Sequence, residues 1–160
     1  MTFVPGVREF LGDLDDRAFA SLSVVVVDFP WDHRADLASL LASWGSQVRR
    51  LAEESVAGAT PRDPRTEHDV VGALHARDRL QQGLNGASDQ VRALAAGLVE
   101  HFDRVFREAT VEDEGGLLEM VTGEPVTGTG WWWRRVPRSG PARDGMDRIA
   151  AALAGGPAAG

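Results

Sequence analysis

The clearest pattern in the sequence is a long apolar stripe at helical spacing. Ser88, a good helix N-cap residue, precedes it. Apolar residues then recur every three or four positions, which places them on one face of a helix. They are Val91, Leu94, Ala95, Leu98, Phe102, Val105 and Phe106. This spacing predicts a helix near 89–109 that buries one face against the rest of the chain.

Two further amphipathic helices are predicted upstream. The first, near 35–57, has Asp32 as its candidate cap and the apolar positions Leu37, Leu40, Leu41, Trp44, Val48, Leu51 and Val56. The second, near 67–84, opens with Thr66 and Asp69 at the spacing of a capping box and stops at an Asn-Gly pair. The short loops between these helices favour antiparallel neighbours.

Before the helices, four consecutive valines run from Val24 to Val27. Such β-branched residues make a poor helix and a good strand, and the run predicts a strand near 23–29. Because the run is continuous rather than alternating, we expect both faces of the strand to be covered. The segment between Val7 and Leu22 predicts one or two short helical turns.

After Thr110 the charges are segregated. An acidic block comes first: Glu112, Asp113, Glu114, Glu119 and Glu124. A basic block follows: Arg134, Arg135, Arg138 and Arg143. With a Gly/Pro-rich stretch between them, the blocks predict strands near 117–122 and 131–136 that form a hairpin, in which an acidic strand faces a basic, aromatic one.

These elements predict one domain over residues 1–154. Its fold class is α+β, mainly helical, with about three principal amphipathic helices, a buried strand and a C-terminal β-hairpin. A short final helix is expected near 144–153, and a disordered tail at 155–160. With 160 residues, the chain is long enough to bury a sizeable core without crosslinks.

Composition and charge exclude several function classes. The absence of cysteine excludes disulfides, thiolate zinc sites, iron–sulfur clusters and cysteine nucleophiles. The net charge of −7 makes nucleic acid and anionic lipid poor partners and favours a protein partner or a small ligand. No apolar run reaches membrane-span length and no secretory signal is visible, so we expect a cytoplasmic protein with no membrane partner.

One candidate catalytic group follows the valine run. Asp28, Asp32 and His33 lie where open α/β sheets place catalytic or ligand-binding groups, and their carboxylates and imidazole are suitable ligands for a divalent metal. The competing interpretation is that an aspartate at a strand end only caps the following loop, and this structural role is favoured. If the catalytic interpretation holds, these three residues predict an alternative function, that of a small metal-dependent or hydrolytic enzyme.

Three further histidines are weaker candidates. His68 and His75 are two helical turns apart, and His101 on the next helix is a conceivable third ligand. The three- or four-residue spacing of most helical metal sites is missing, so we expect neither a metal nor a cofactor.

Charged residues on the second and third helices predict an ion-pair network between them. Its candidate members are Arg77, Asp78, Arg79, Asp103, Arg104 and Arg107. We expect exposed pairs of small energetic weight, about 0–1 kcal/mol each.

The most unusual local feature is the run Trp131, Trp132, Trp133, Arg134 and Arg135. In a strand, alternate side chains point to opposite faces, so the three tryptophans cannot all face one way. Three interpretations remain open: the indoles close the core, they anchor a protein interface together with the arginines, or they stack on single-stranded nucleic acid. Net charge makes the last the weakest.

The region 70–140 also resembles a group of small, mostly uncharacterised actinobacterial proteins. The resemblance rests on three features in order: a long helix ending in Asp103, Phe106, Arg107 and Thr110, then an acidic, Gly/Pro-rich segment, and then the run from Trp131 to Pro137. Some of these proteins are accessory partners of caspase-like and TPR-containing proteins in bacterial conflict systems. The resemblance implies a protein partner, and it supplies no catalytic residues.

The sequence therefore favours a non-enzymatic binding protein, of the accessory, immunity or regulatory kind. The predicted interaction residues are Trp131, Trp132, Trp133, Arg134 and Arg135. A homo-oligomer is compatible with the sequence, and the partner's identity is left open.

Overall fold

The computed structural model describes residues 6–56 and 63–156, and it shows the predicted mainly helical α+β fold. In chain order the elements are α1 (Val7–Phe10), α2 (Asp16–Ser23), β1 (Val26–Phe29), β2 (His33–Asp36), α3 (Leu37–Glu54), α4 (Glu67–Asn85), α5 (Asp89–Ala109), β3 (Thr110–Glu112), α6 (Leu117–Thr122), a 3₁₀ turn (Trp131–Arg134), β4 (Arg135–Pro137) and α7 (Pro141–Gly155). The one or two helical turns expected between Val7 and Leu22 are present as α1 and α2, and the three principal helices are present as α3, α4 and α5.

Helix α3 is the centre of the core, because it packs against both α4 and α5. Its Trp44 and Leu41 are fully buried. On α5, the C-terminal half of the predicted stripe is fully buried at Phe102 and Phe106, whereas Leu94 and Leu98 are only partly buried. The N-terminal half of α5 therefore lies at the edge of the core.

Side-chain caps define where the long helices begin. Thr66 and Asp69 form the predicted capping box of α4, and Ser88 caps α5. The predicted cap of α3 was wrong: Asp36, and not Asp32, accepts the hydrogen bond from the Ser39 amide. Strand β2 occupies the four residues before α3, so the helix begins later than the sequence suggested.

The valine run forms the predicted strand only at its C-terminal end, in Val26–Phe29, and the prediction that both faces of the strand are covered is wrong. Strand β1 pairs antiparallel with β2, and the two make a small hairpin. Val24 is 77% exposed and Val26 is 54% exposed, whereas Val27 and Phe29 are partly buried against the core. A two-stranded hairpin covers only its inner face, so alternate side chains stay in solvent.

The C-terminal strands also differ from the prediction. Residues Leu117–Thr122 form helix α6, and the tryptophans lie in a 3₁₀ turn instead of a strand. An antiparallel pair does form, between β3 and β4, and it sets Glu112 opposite Arg135. The predicted opposition of an acidic and a basic strand is therefore present. Its basic strand lies at the end of the predicted segment near 131–136, and its acidic strand is β3 instead of the segment near 117–122.

Helix α7 is longer than predicted and extends through Gly155. The first residue of the expected tail is thus helical, and residues 157–160 lie outside the described part of the chain. Within residues 6–56 and 63–156, none of the helices combines the length and the apolar character needed to cross a membrane.

Candidate functional site

Two of the three consecutive tryptophans are part of the core. Trp132 is 5% exposed and Trp133 is 7% exposed. Both indole N–H groups donate to the carboxylate of Asp78 on α4, over 2.7 Å from Trp132 and 2.9 Å from Trp133. Because a 3₁₀ turn does not alternate like a strand, the chain can direct both rings at one carboxylate. These two indoles act as a clamp that fixes the C-terminal segment to α4.

The glycine-rich stretch before the tryptophans has a matching role. A Cβ added at Gly128 would collide with the ring of Trp133, and one added at Gly130 would collide with the ring of Trp132. The backbone must therefore pass directly against both rings, which only glycine allows here.

The rest of the predicted interaction segment is held by neighbouring groups to different degrees. Trp131 is partly buried, and the guanidinium of Arg107 lies 3.9 Å from its ring centroid. Arg135 donates from Nε to the Thr110 hydroxyl over 2.9 Å, whereas Arg134 is exposed. The surface that this segment offers to a partner is thus limited to Trp131 and Arg134, and its role in binding stays a prediction.

The predicted ion-pair network contains one buried pair, which contradicts the expectation of exposed pairs. Arg77 is 4% exposed and Asp103 is 7% exposed. Arg77 donates from Nε and Nη2 to the two carboxylate oxygens of Asp103, each over 2.9 Å. The Trp44 indole donates to the same carboxylate over 3.0 Å. This pair connects α4 to α5 next to α3, so its role is in the core.

The candidate catalytic group lies on the hairpin of β1 and β2. Asp28 is exposed and pairs with Arg34 of the facing strand over 2.7 Å. Asp32 and His33 are exposed as well. Across the described residues, no three His, Asp or Glu side chains come together as a metal site would require, and the histidines of α4 and α5 are no exception.

The tip of this hairpin carries the most exposed large apolar side chain among those described. Trp31 is 91% exposed, in a three-residue loop between the paired Phe29 and His33. Trp31 and Asp32 have φ angles of 71° and 58°, in the left-handed region that non-glycine residues rarely adopt. Such conformations cost about 1–3 kcal/mol each and cluster at functional sites. Folding gains little from this tryptophan, because it is neither buried nor relaxed.

A groove of about 640 Å³ lies beside Trp31, between the hairpin, α3 and α4. We call it the hairpin groove. Helix α3 lines it with Leu40, Ser43 and Gln47, and helix α4 with Asp69, Gly72, Ala76 and Arg79. Both sets follow three- and four-residue spacing, so each is one helix face. The volume is within the roughly 300–1,000 Å³ of typical ligand sites.

The groove is basic although the chain is acidic. Three arginines line it, Arg34, Arg65 and Arg79, with Asp69 as its acid, and His33 and His75 lie among them. The whole chain has a net charge of −7. The local charge of the groove is therefore opposite to that of the molecule.

Trp31 is not among the functional residues predicted from the sequence. The signal available was a large aromatic residue between Pro30 and Asp32, both common in turns, which places an apolar side chain in a loop. The valine run favoured the opposite expectation, because a buried strand there would place the adjacent residues in the core.

Comparison with known proteins adds no relative. The chain matches no protein-family model, no curated protein and no solved structure.

Proposed function

We propose that this chain is a protein-binding accessory or regulatory protein, and that the hairpin groove holds a segment of its partner. The observation that supports this proposal most directly is the exposure of Trp31, which is 91% exposed beside a groove of about 640 Å³. Tryptophan is among the residues that most often anchor protein interfaces. The sequence resemblance to accessory proteins of bacterial conflict systems points to the same class of function.

The shape of the groove suits a short stretch of polypeptide. From Asp69 to Arg79, helix α4 runs for about 15 Å at 1.5 Å per residue. An extended peptide rises about 3.3 Å per residue, so roughly five residues span this length. Gly72 leaves open space above the helix, since a Cβ added there meets no atom within 4 Å.

The alternative enzymatic function has less support from this geometry. Of its three residues, only His33 lines the groove. Asp28 is paired with Arg34, and among the described residues no three His, Asp or Glu side chains form a metal-binding group. A general acid or base has to lie within hydrogen-bond reach of a bound substrate, and the aspartates lie outside the lining of the groove.

The test is selection of a displayed random peptide library on the immobilised protein. We expect the wild type to enrich a peptide family, and Trp31→Ala to weaken the binding of its members by at least about 30-fold, the equivalent of a 2 kcal/mol anchor. Val24→Ala is the matched control, because Val24 is also an exposed apolar residue, at 77%, and does not line the groove. Enriched peptides that bind Trp31→Ala and wild type equally, or no enrichment at all, would refute the proposal.

A further inference from the structure

The arginines of the hairpin groove differ in whether a carboxylate lies close enough to form an ion pair with them. Arg34 pairs with Asp28 over 2.7 Å, and the nearest atoms of Arg65 and Asp69 are 3.9 Å apart. For Arg79, no carboxylate within the described ranges lies within the 4 Å of an ion pair. Its guanidinium lies 5.6 Å from the ring centroid of Phe29, which places it at the hairpin end of the groove.

Two imidazoles extend this basic end. His75 is one helical turn before Arg79 on α4, and His33 begins the strand that follows the Trp31 loop. His75 is exposed, and the edge contact of its ring with Trp133, at a centroid distance of 4.9 Å, restrains it. Arg79, His75 and His33 therefore offer N–H groups to one region of the groove, next to the exposed indole.

We infer that the partner segment is acidic, and that one of its carboxylate side chains binds at Arg79 while an adjacent apolar side chain packs against Trp31. This inference rests on the proposed function. A guanidinium that no carboxylate of the described residues pairs with, bordered by imidazoles and an aromatic ring, matches the chemistry of a carboxylate better than that of a neutral or cationic group.

The net charge of the chain opposes the binding of an acidic segment, but only at long range. An overall charge of −7 repels an acidic segment at long range. Screening limits this repulsion to about 8 Å at physiological ionic strength, so the local arginine dominates once the segment is seated.

The experiment measures fluorescence polarisation of dye-labelled five-residue peptides with a central leucine. One neighbouring position, scanned along the peptide, carries Glu, Gln or Lys. For the wild type, we expect the best Glu peptide to bind at least about tenfold more tightly than its Gln version, and the Lys version to be weakest. Arg79→Glu should reverse this order, so that the Lys peptide becomes the tightest.

Arg17→Glu is the control, because Arg17 is exposed on α2, does not line the groove and undergoes the same charge change. It should keep the wild-type order. Equal binding of the Glu and Gln peptides to the wild type, or an unchanged order in Arg79→Glu, would overturn the inference. If such peptides still depend on Trp31, the proposed function stands and only the acidic partner falls. If no peptide of any charge binds, the inference falls as well, and the library selection decides whether the function falls with it.

Discussion

Replacing Asp103 with alanine should be among the most damaging changes in the core. The substitution leaves the guanidinium of Arg77, which is 4% exposed, without its two 2.9 Å partners. It also removes the acceptor of the Trp44 indole N–H. Breaking a buried pair by removing one partner costs about 3–5 kcal/mol, because the remaining charge is left uncompensated. The orphaned indole adds about 1–3 kcal/mol. A domain with a stability of about 5–15 kcal/mol would lose a large part of it.

Urea denaturation followed by circular dichroism measures this loss. Arg104→Ala is the neighbouring control: its pair with Glu100, at 3.4 Å, is exposed and contributes about 0–1 kcal/mol. The double variant Arg77→Met with Asp103→Leu should recover most of the loss, since it removes both charges and keeps the volume apolar. The reasoning would be refuted if Asp103→Ala cost no more than Arg104→Ala, or if the double variant were as unstable as Asp103→Ala.

Three further predictions concern packing and the two kinds of tryptophan. Gly45→Ala should destabilise the protein by about 1–3 kcal/mol, because the added Cβ would lie 2.5 Å from a buried phenylalanine ring of α5. Gly97→Ala has open space around it and should stabilise the protein by about 0.5–1 kcal/mol. Thermal unfolding should show a lower melting temperature for the first variant and a higher one for the second. Trp132→Ala should cost about 3–5 kcal/mol and Trp31→Ala less than about 0.5 kcal/mol, and similar losses in urea would contradict the assignment of one to the core and the other to binding. Asp78→Ala should cost about 1–3 kcal/mol of stability for each indole N–H that it leaves without an acceptor. Near-UV circular dichroism should then show a weaker tryptophan signal. An unchanged spectrum together with an unchanged urea midpoint would argue against the clamp.

The placement of tryptophan contradicts a simple interpretation of the composition. A cluster of three, Trp131 to Trp133, draws attention as a binding surface, yet two of its members are buried and share one carboxylate. The single Trp31 is the one left in solvent. Clustering in sequence says little about exposure, because exposure depends on which elements fold over a segment.

The long helices could be predicted from the sequence alone. The apolar stripe near 89–109 with its cap Ser88 specifies one helix, and the capping box of Thr66 and Asp69 with the Asn-Gly stop specifies another near 67–84. The bounds of both agree with the structure within one residue. These signals are local: periodicity and capping involve residues that are close in the chain, so no distant contact is needed to interpret them.

The candidate site, by contrast, was decided by tertiary structure. The exposure of Val24 to Val27 depended on how many strands pair with β1. Among the described strands, β2 alone does so, which leaves the outer face of the hairpin in solvent. Arg77 and Asp103 are 26 residues apart in sequence, and only the packing of the helices buries them as a pair. The hairpin groove likewise forms only where α4 packs against the hairpin and α3, which precede it in the chain. Hydrophobic pattern and helix caps act over a few residues and determine the elements, whereas burial and charge matching act between elements and exist only once the chain has packed.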